Sequence, residues 1–242
     1  MSTALTVLTK CTADPSVFDV HWAAGIHTQG VVHVTVTSKL PDKELIAELS
    51  ATQHLLEVAQ VCSEDRTGNN LTITVSFGAI RKLASGRSAK DYLVPFAMFL
   101  RTRFVDAQVV TSKSDDFIRP SAYSNRSSIT TDRAYPSYAT LPGGERAGVT
   151  FHALDQFRIR FAFDRASDAW RELRSCAAHS ATRSSRLTSD DVAKYGSSVR
   201  AFDCFNGARL IVVDDGVYPM IVTAYWHYRA QVNYQKLAQT AA

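Results

Sequence analysis

Three groups of residues in this 242-residue chain have types and spacings suited to chemistry. The first is Glu48, in the run Ala47-Glu48-Leu49-Ser50-Ala51-Thr52-Gln53-His54-Leu55-Leu56-Glu57, where a carboxylate sits early in an amphipathic helical pattern. The second is His152, Gln156 and Arg160, each four residues after the last, with Arg158 beside them. That spacing puts the three on one helical face, as a phosphate-handling surface requires. The third is a set of arginines and tyrosines within 113–148: Arg119, Tyr123, Arg126, Arg133, Tyr135 and Tyr138. Tyrosine rings stack on bases and guanidinium groups neutralise phosphates, so this set is expected to bind a nucleic-acid strand.

These side chains need elements to hold them. Residues 5–11 and 17–26 read as strands. Residues 31–38 alternate, with Val32, Val34 and Val36 on one face and His33, Thr35 and Thr37 on the other, which is a half-buried strand. His27-Thr28-Gln29-Gly30 supplies the turn before it. A helix is expected over 42–61, with Asp42 as N-cap or first-turn acid and an apolar stripe of Leu45, Ile46, Leu49, Leu55 and Leu56. A loop at 63–70, a strand at 71–77, a helix at 89–104 and a strand at 107–112 complete the order βββ-α-β-α-β, an α/β layer with a mixed sheet. Periodicity then disappears over 113–148, which reads as a linker or an irregular excursion.

From 149 onward the pattern returns. Thr150 caps a helix over 151–161, and a second helix follows at 165–180. A polar connector containing His179 and the 183–186 stretch leads to three strands, 199–205, 208–214 and 217–226. Asp215-Gly216 is a turn signal, and Pro219 places an edge or bulge at the start of the last strand. The expected division is 1–112, 113–148 and 149–242.

Over roughly residues 4–112 the chain resembles the ribonuclease H-like superfamily, on its element order and on Glu48-Leu49. In that family a first-strand Asp, a first-helix Glu, a fourth-strand Asp and a later acid hold two divalent metals that activate water against a phosphodiester. Glu48 matches the helix position. Lys10 stands where the first Asp is expected, Ser76 or Phe77 where the fourth-strand Asp is expected, and Asp115 and Asp116 lie near the last position. Hard cations need several anionic oxygens. The resemblance therefore implies the fold with a degenerate metal cluster.

Residues 150–228 are similar to small toxin-type ribonucleases of the barnase–RelE group. The likeness lies in His152-Ala153-Leu154-Asp155-Gln156-Phe157-Arg158-Ile159-Arg160, Arg209-Leu210-Ile211-Val212-Val213-Asp214 and Ile221-Val222-Thr223-Ala224-Tyr225-Trp226. Such enzymes use no metal. A base activates the ribose 2′-hydroxyl, a cation stabilises the phosphorane and an acid protonates the leaving oxygen. The resemblance implies His152 as base or acid, Arg158, Arg160 and Arg209 as phosphate binders, and Thr223, Tyr225 or His227 on the last strand.

Composition fits these expectations without selecting among them. Hydrophobic residues at 45% suffice for a core, and the formal charge of +4 is mildly basic, compatible with a nucleic-acid partner. Cys11, Cys62, Cys176 and Cys204 form no CxxC pair and no zinc spacing, so buried reduced thiols in a cytoplasmic protein are expected, with no metal and no cofactor. No apolar run reaches a membrane-spanning length. The leading expectation is an RNA- or single-strand-binding protein with a possible metal-independent ribonuclease domain. The competing one is a non-enzymatic, virus- or mobile-element-encoded factor that binds a host protein.

Overall fold

Alternating valines and threonines build the first sheet of the computed structural model, which describes residues 3–25, 28–62, 68–119, 124–214 and 219–226. The chain is mixed α/β, with two mixed sheets and six α-helices among the described residues. It divides into two units, Met1–Pro136 and Ser137–Ala242.

In the first unit, β1 (Thr3–Cys11), β2 (Val17–Ala24) and β3 (Thr28–Val36) form an antiparallel meander. Helix α1 (Lys43–Glu57) then crosses β1, β2 and β3. Strand β4 (Leu71–Val75) pairs parallel to β1, α2 (Gly78–Ala84) follows, and β5 (Gln108–Thr111) pairs parallel to β4. Strand β6 (Arg126–Thr131) adds to the far edge, parallel to β3, so the order is β5-β4-β1-β2-β3-β6. Val32, Val34 and Val36 are fully buried, as the alternation predicts, and join Leu5, Val7, Val20, Ile73 and Val75 under Ile46, Leu49 and Leu56 of α1. The helices α1 and α2 touch each other. The opposite face of the meander carries Lys10, Asp19, His33 and Thr35, with Leu8, His21 and Val31 buried among them.

Gly30 sits opposite Trp22 in the β2–β3 register. A Cβ there would lie 2.4 Å from the Asn125 carbonyl oxygen and 2.9 Å from the Trp22 ring, so only glycine admits the close approach of the chain entering β6.

Several expectations are corrected. The helix expected over 89–104 is two 3-10 turns, Asp91–Leu93 and Pro95–Ala97, followed by the short α3 (Met98–Arg101). Pro95 lacks an N–H and crowds the preceding turn, which breaks a continuous helix. Asp42 does not cap α1 with its side chain: it adopts φ 58°, and its carboxylate takes Lys90 Nζ at 2.5 Å and the Tyr92 hydroxyl instead. The stretch expected as a linker carries strands, β6 in the first sheet and β7 (Tyr138–Thr140) and β8 (Arg146–Val149) in the second, with the boundary between units at Pro136. Cys11, at the end of β1, is exposed, whereas Cys62, Cys176 and Cys204 are buried; all four are free thiols.

In the second unit, α4 (Phe151–Arg160) and α5 (Ala166–Ala178) cover one face of the sheet β7-β8-β12-β11-β10-β9. Thr150 caps α4 through its hydroxyl, which accepts from Ala153 N at 3.1 Å. Strands β10 (Val199–Asp203), β11 (Ala208–Asp214) and β12 (Pro219–Trp226) form the expected meander, with a bulge at Ile211/Val212. The connector expected to be irregular supplies β9 (Arg183–Ser185) and α6 (Ser189–Tyr195), the latter with a capping box between Thr188 and Asp191. Thr28, Gln29 and Gly30 of the turn expected over 27–30 belong to β3, since they pair with β2; His27, the turn at Asp215-Gly216, and the candidates Tyr123 and His227 lie outside the described residues.

Candidate functional site

The first-helix carboxylate is enclosed. Glu48 is fully buried on α1 and receives three hydrogen bonds: from the Ser76 backbone N–H at 2.6 Å, from the Ser76 hydroxyl, and from the Thr9 hydroxyl at 2.6 Å. The three residues come from β1, α1 and the end of β4, which β1–β4 pairing places side by side. Thr9 rather than Lys10 faces Glu48, because strand parity turns Lys10 to the opposite face, where its ammonium meets Asp115 at 3.1 Å. Burial pushes the Glu48 carboxyl above its ordinary range, and the Ser76 and Thr9 hydrogen bonds only partly oppose this. This donor set does not fit a two-metal site. One carboxylate and two hydroxyls lack the anionic oxygens that hard cations require, and the hydroxyls already donate to the carboxylate. Among the described residues, no group of three or more His, Cys, Asp or Glu is placed to hold a metal ion.

The sheet face opposite α1 offers a more open arrangement. Asp19, His33 and Ser128 are direct register partners across β2, β3 and β6, and Val31 is the partner of Arg126. Together with Ser127 they line a groove of about 340 Å³. His33 Nδ1 donates to Asp19 Oδ1 at 2.8 Å, which fixes the ring on a half-exposed surface. Arg126, a sequence candidate, thus stands beside a fixed imidazole and a serine hydroxyl. Strand spacing in the sequence shows that His33 faces away from the buried valines, but only the cross-strand register shows that Asp19 and Ser128 flank it.

The other sequence candidates are dispersed. Arg133 lies 3.9 Å from Asp132, and Tyr135, 41% exposed, has its hydroxyl 3.4 Å from Asp132 while its carbonyl accepts from Gln53 at 2.8 Å. In the second unit His152 is exposed in the first turn of α4, and Arg158 pairs with Asp155 at 3.1 Å. No hydrogen bond or ion pair among the described residues joins His152 to Arg158 or Tyr225.

Arg160 donates to the Ala224 carbonyl at 2.8 Å and lies 5.9 Å from the Tyr225 ring centre, while its own carbonyl accepts from Trp226 Nε1 at 2.7 Å. Tyr225 in turn donates to Asp191 Oδ1 at 2.8 Å, and Arg209 reaches Asp191 at 3.4 Å, Asp203 at 3.2 Å and the Arg186 carbonyl at 2.5 Å. Arg209 is 4% exposed, so its guanidinium is occupied inside the unit. Thr223 is likewise buried. Burial and the bond to Asp191 push the Tyr225 phenol up to about 12, so it acts as a donor at neutral pH. Burial raises the Asp191 carboxyl, but bonds from Thr188 and Tyr225 and the charge of Arg209 outweigh it and leave it below its ordinary value. Sequence reasoning missed this network because Asp191 sits in a short helix; Thr188, three residues before Asp191, is the signal that finds it.

No protein-family model, curated protein or solved structure matches the chain. Among the described residues no helix is long and apolar enough to cross a membrane.

Proposed function

We propose that the chain is a nucleic-acid-binding protein with a ribonuclease H-like first unit, acting without the metal pair of that superfamily. The observation that carries this reading is the meeting of Thr9, Glu48 and Ser76. They come from the first strand, first helix and fourth strand, the three places from which the superfamily draws its metal carboxylates. Here two of the three positions bear hydroxyls that satisfy the third. The framework that presents a phosphodiester site is kept and the charge that holds metals is reduced to one buried group, which favours binding over metal-dependent cleavage. The face opposite α1 supplies the contacts: Arg126 for a phosphate, and Ser128 and the Asp19-held His33 for base edges or sugar hydroxyls.

The test is incubation of the pure chain with end-labelled single-stranded RNA and DNA, with and without chelator, over a salt series. Retention that is insensitive to chelator and weakens with salt is the expected outcome. Failure to retain either strand at low salt removes the reading, and chelator-sensitive cleavage overturns the metal-independent part of it.

A further inference from the structure

The last turn of α2 carries Arg81 and Lys82, and the chain then bends through Ser85 and Gly86 to Arg87. Arg81, Lys82, Ser85 and Arg87 line a notch of about 190 Å³. Its internal hydrogen bonds are local: Arg87 Nε donates to Ser85 Oγ at 3.1 Å, and Ser85 Oγ donates to the Lys82 carbonyl at 3.1 Å. Among the described residues, no carboxylate forms an ion pair with Arg81, Lys82 or Arg87, whereas Lys10, Lys90, Arg103, Arg133, Arg158, Arg171, Arg200 and Arg209 each have at least one. A fourth cation adjoins the bend. Gly86 has φ +68°, and a Cβ on it would sit 3.4 Å from an Arg101 guanidinium nitrogen.

Part of this charge is explained by the helix end. The C-terminus of a helix carries roughly half a negative charge, which favours cations in the last turn. Half a charge does not balance three, so an excess of about two positive charges faces the notch. Two guanidinium forks and an ammonium around a cavity of this size match the several oxygens of a phosphate group, which Arg binds in bidentate fashion, while the Ser85 hydroxyl, already donating to the Lys82 carbonyl, holds Arg87 in place.

We propose that this notch binds a backbone phosphate of the single-stranded nucleic acid. The proposal rests on the nucleic-acid reading above and adds a second contact to it. Helix α2 packs against β4 and β5, at one end of the sheet, whereas Arg126 lies on β6 at the other. Five strand spacings separate those edges, roughly 24 Å at about 4.8 Å each. The notch lies on the α1 side of the sheet and the Arg126 groove on the other face, so one phosphate cannot occupy both places and a strand that touches both must pass round the rim of the sheet.

The experiment uses the full chain and a fluorescein-labelled 20-nucleotide oligouridylate, with affinity measured by anisotropy across a salt series. The double variant Arg81→Gln/Arg87→Gln is compared with Arg174→Gln/Lys194→Gln, which removes the same charge from exposed positions of the second unit. The notch variant is expected to bind at least about tenfold more weakly at low salt, with a log–log salt slope shallower by about one or more, while the control keeps the wild-type slope. Thermal melts confirm that both variants are folded; all four positions are solvent-exposed. Wild-type binding with an unchanged notch variant overturns the notch and leaves the nucleic-acid reading standing. Equal losses in both variants also overturn it, since they report net charge alone. Absence of oligonucleotide binding by the wild type overturns both. Calorimetric binding of inorganic pyrophosphate that the notch variant loses, without oligonucleotide binding, reassigns the notch to a small phosphate and overturns the strand assignment.

Discussion

Glu48 and Asp191 are both buried carboxylates, and their surroundings drive them in opposite directions. Glu48 has three neutral donors and no cation, so burial dominates and its folded pKa lies above the unfolded one. The folded state then binds more protons than the unfolded state, and stability decreases as pH rises from the ordinary carboxylate range through the raised value. Glu48→Gln is expected to remove that slope in urea melts between pH 4 and 8. Glu48→Ala leaves buried donors without an acceptor and is expected to lose about 2–4 kcal/mol. A Glu48→Gln variant that keeps the wild-type slope would sink this assignment. Asp191 has Arg209, Tyr225 and the α6 cap, and its folded pKa is lowered. Its contribution is present above the ordinary carboxylate value and disappears as pH falls through the lowered one. Asp191→Ala leaves a buried guanidinium with a weaker partner, for an expected loss of about 3–5 kcal/mol. Tyr225→Phe removes one charge-assisted hydrogen bond, for about 1.5–3 kcal/mol in chemical denaturation.

Helix α6 shows how a short element holds a long-range network. Its capping box joins Thr188 to Asp191 in both directions, so the residue that terminates the helix also aims the carboxylate at Tyr225 and Arg209. Thr188→Ala is expected to lose about 1 kcal/mol, typical of a cap. The loss exceeds that if Asp191 turns away, and calorimetric melting of the variant against Tyr225→Phe separates the two. The strands β3 and β4 were legible because their apolar residues, Val32, Val34 and Val36 and Leu71, Ile73 and Val75, recur at every second position and are buried, which writes a period of two into the sequence. Strand β6 was not: Arg126-Ser127-Ser128-Ile129-Thr130-Thr131 has only Ile129 as an apolar marker, and its place depends on pairing with β3, about a hundred residues earlier. The meeting of Thr9 and Ser76 at Glu48 was not legible, because it depends on β1–β4 pairing and on parity, which turns Thr9 rather than Lys10 toward α1. The Asp19–His33–Ser128 row was illegible for the same reason as β6, since a register joins residues that no local spacing relates.

Each unit of the whole molecule has its own buried cluster, and each carries one of the two opposed carboxylates. Acidification from neutral pH toward the ordinary carboxylate range is therefore expected to raise the melting transition of the first unit, whereas that of the second holds until the pH falls below that range and then drops. The surface carboxylates of the first unit with lowered values, Asp42 and Asp115 among them, weigh little because solvent screens them. Trp22 reports on the first unit, and Trp170 on the second, so fluorescence of single-tryptophan variants resolves the two melts. Transitions that shift together in the same direction would contradict the assignment. A last consequence concerns solubility. Strand β8 pairs with β12 only at Met220 and Ile221, so among the described residues the outer edge of β12 from Val222 onward has no neighbouring strand. An open edge is a template for another chain. Arg160 lies across it, donating to the Ala224 carbonyl and holding the Trp226 indole through its own carbonyl. Helix α4 packs against this strand, so Arg160→Ala, which frees the Ala224 carbonyl, is expected to appear first as aggregation at high protein concentration.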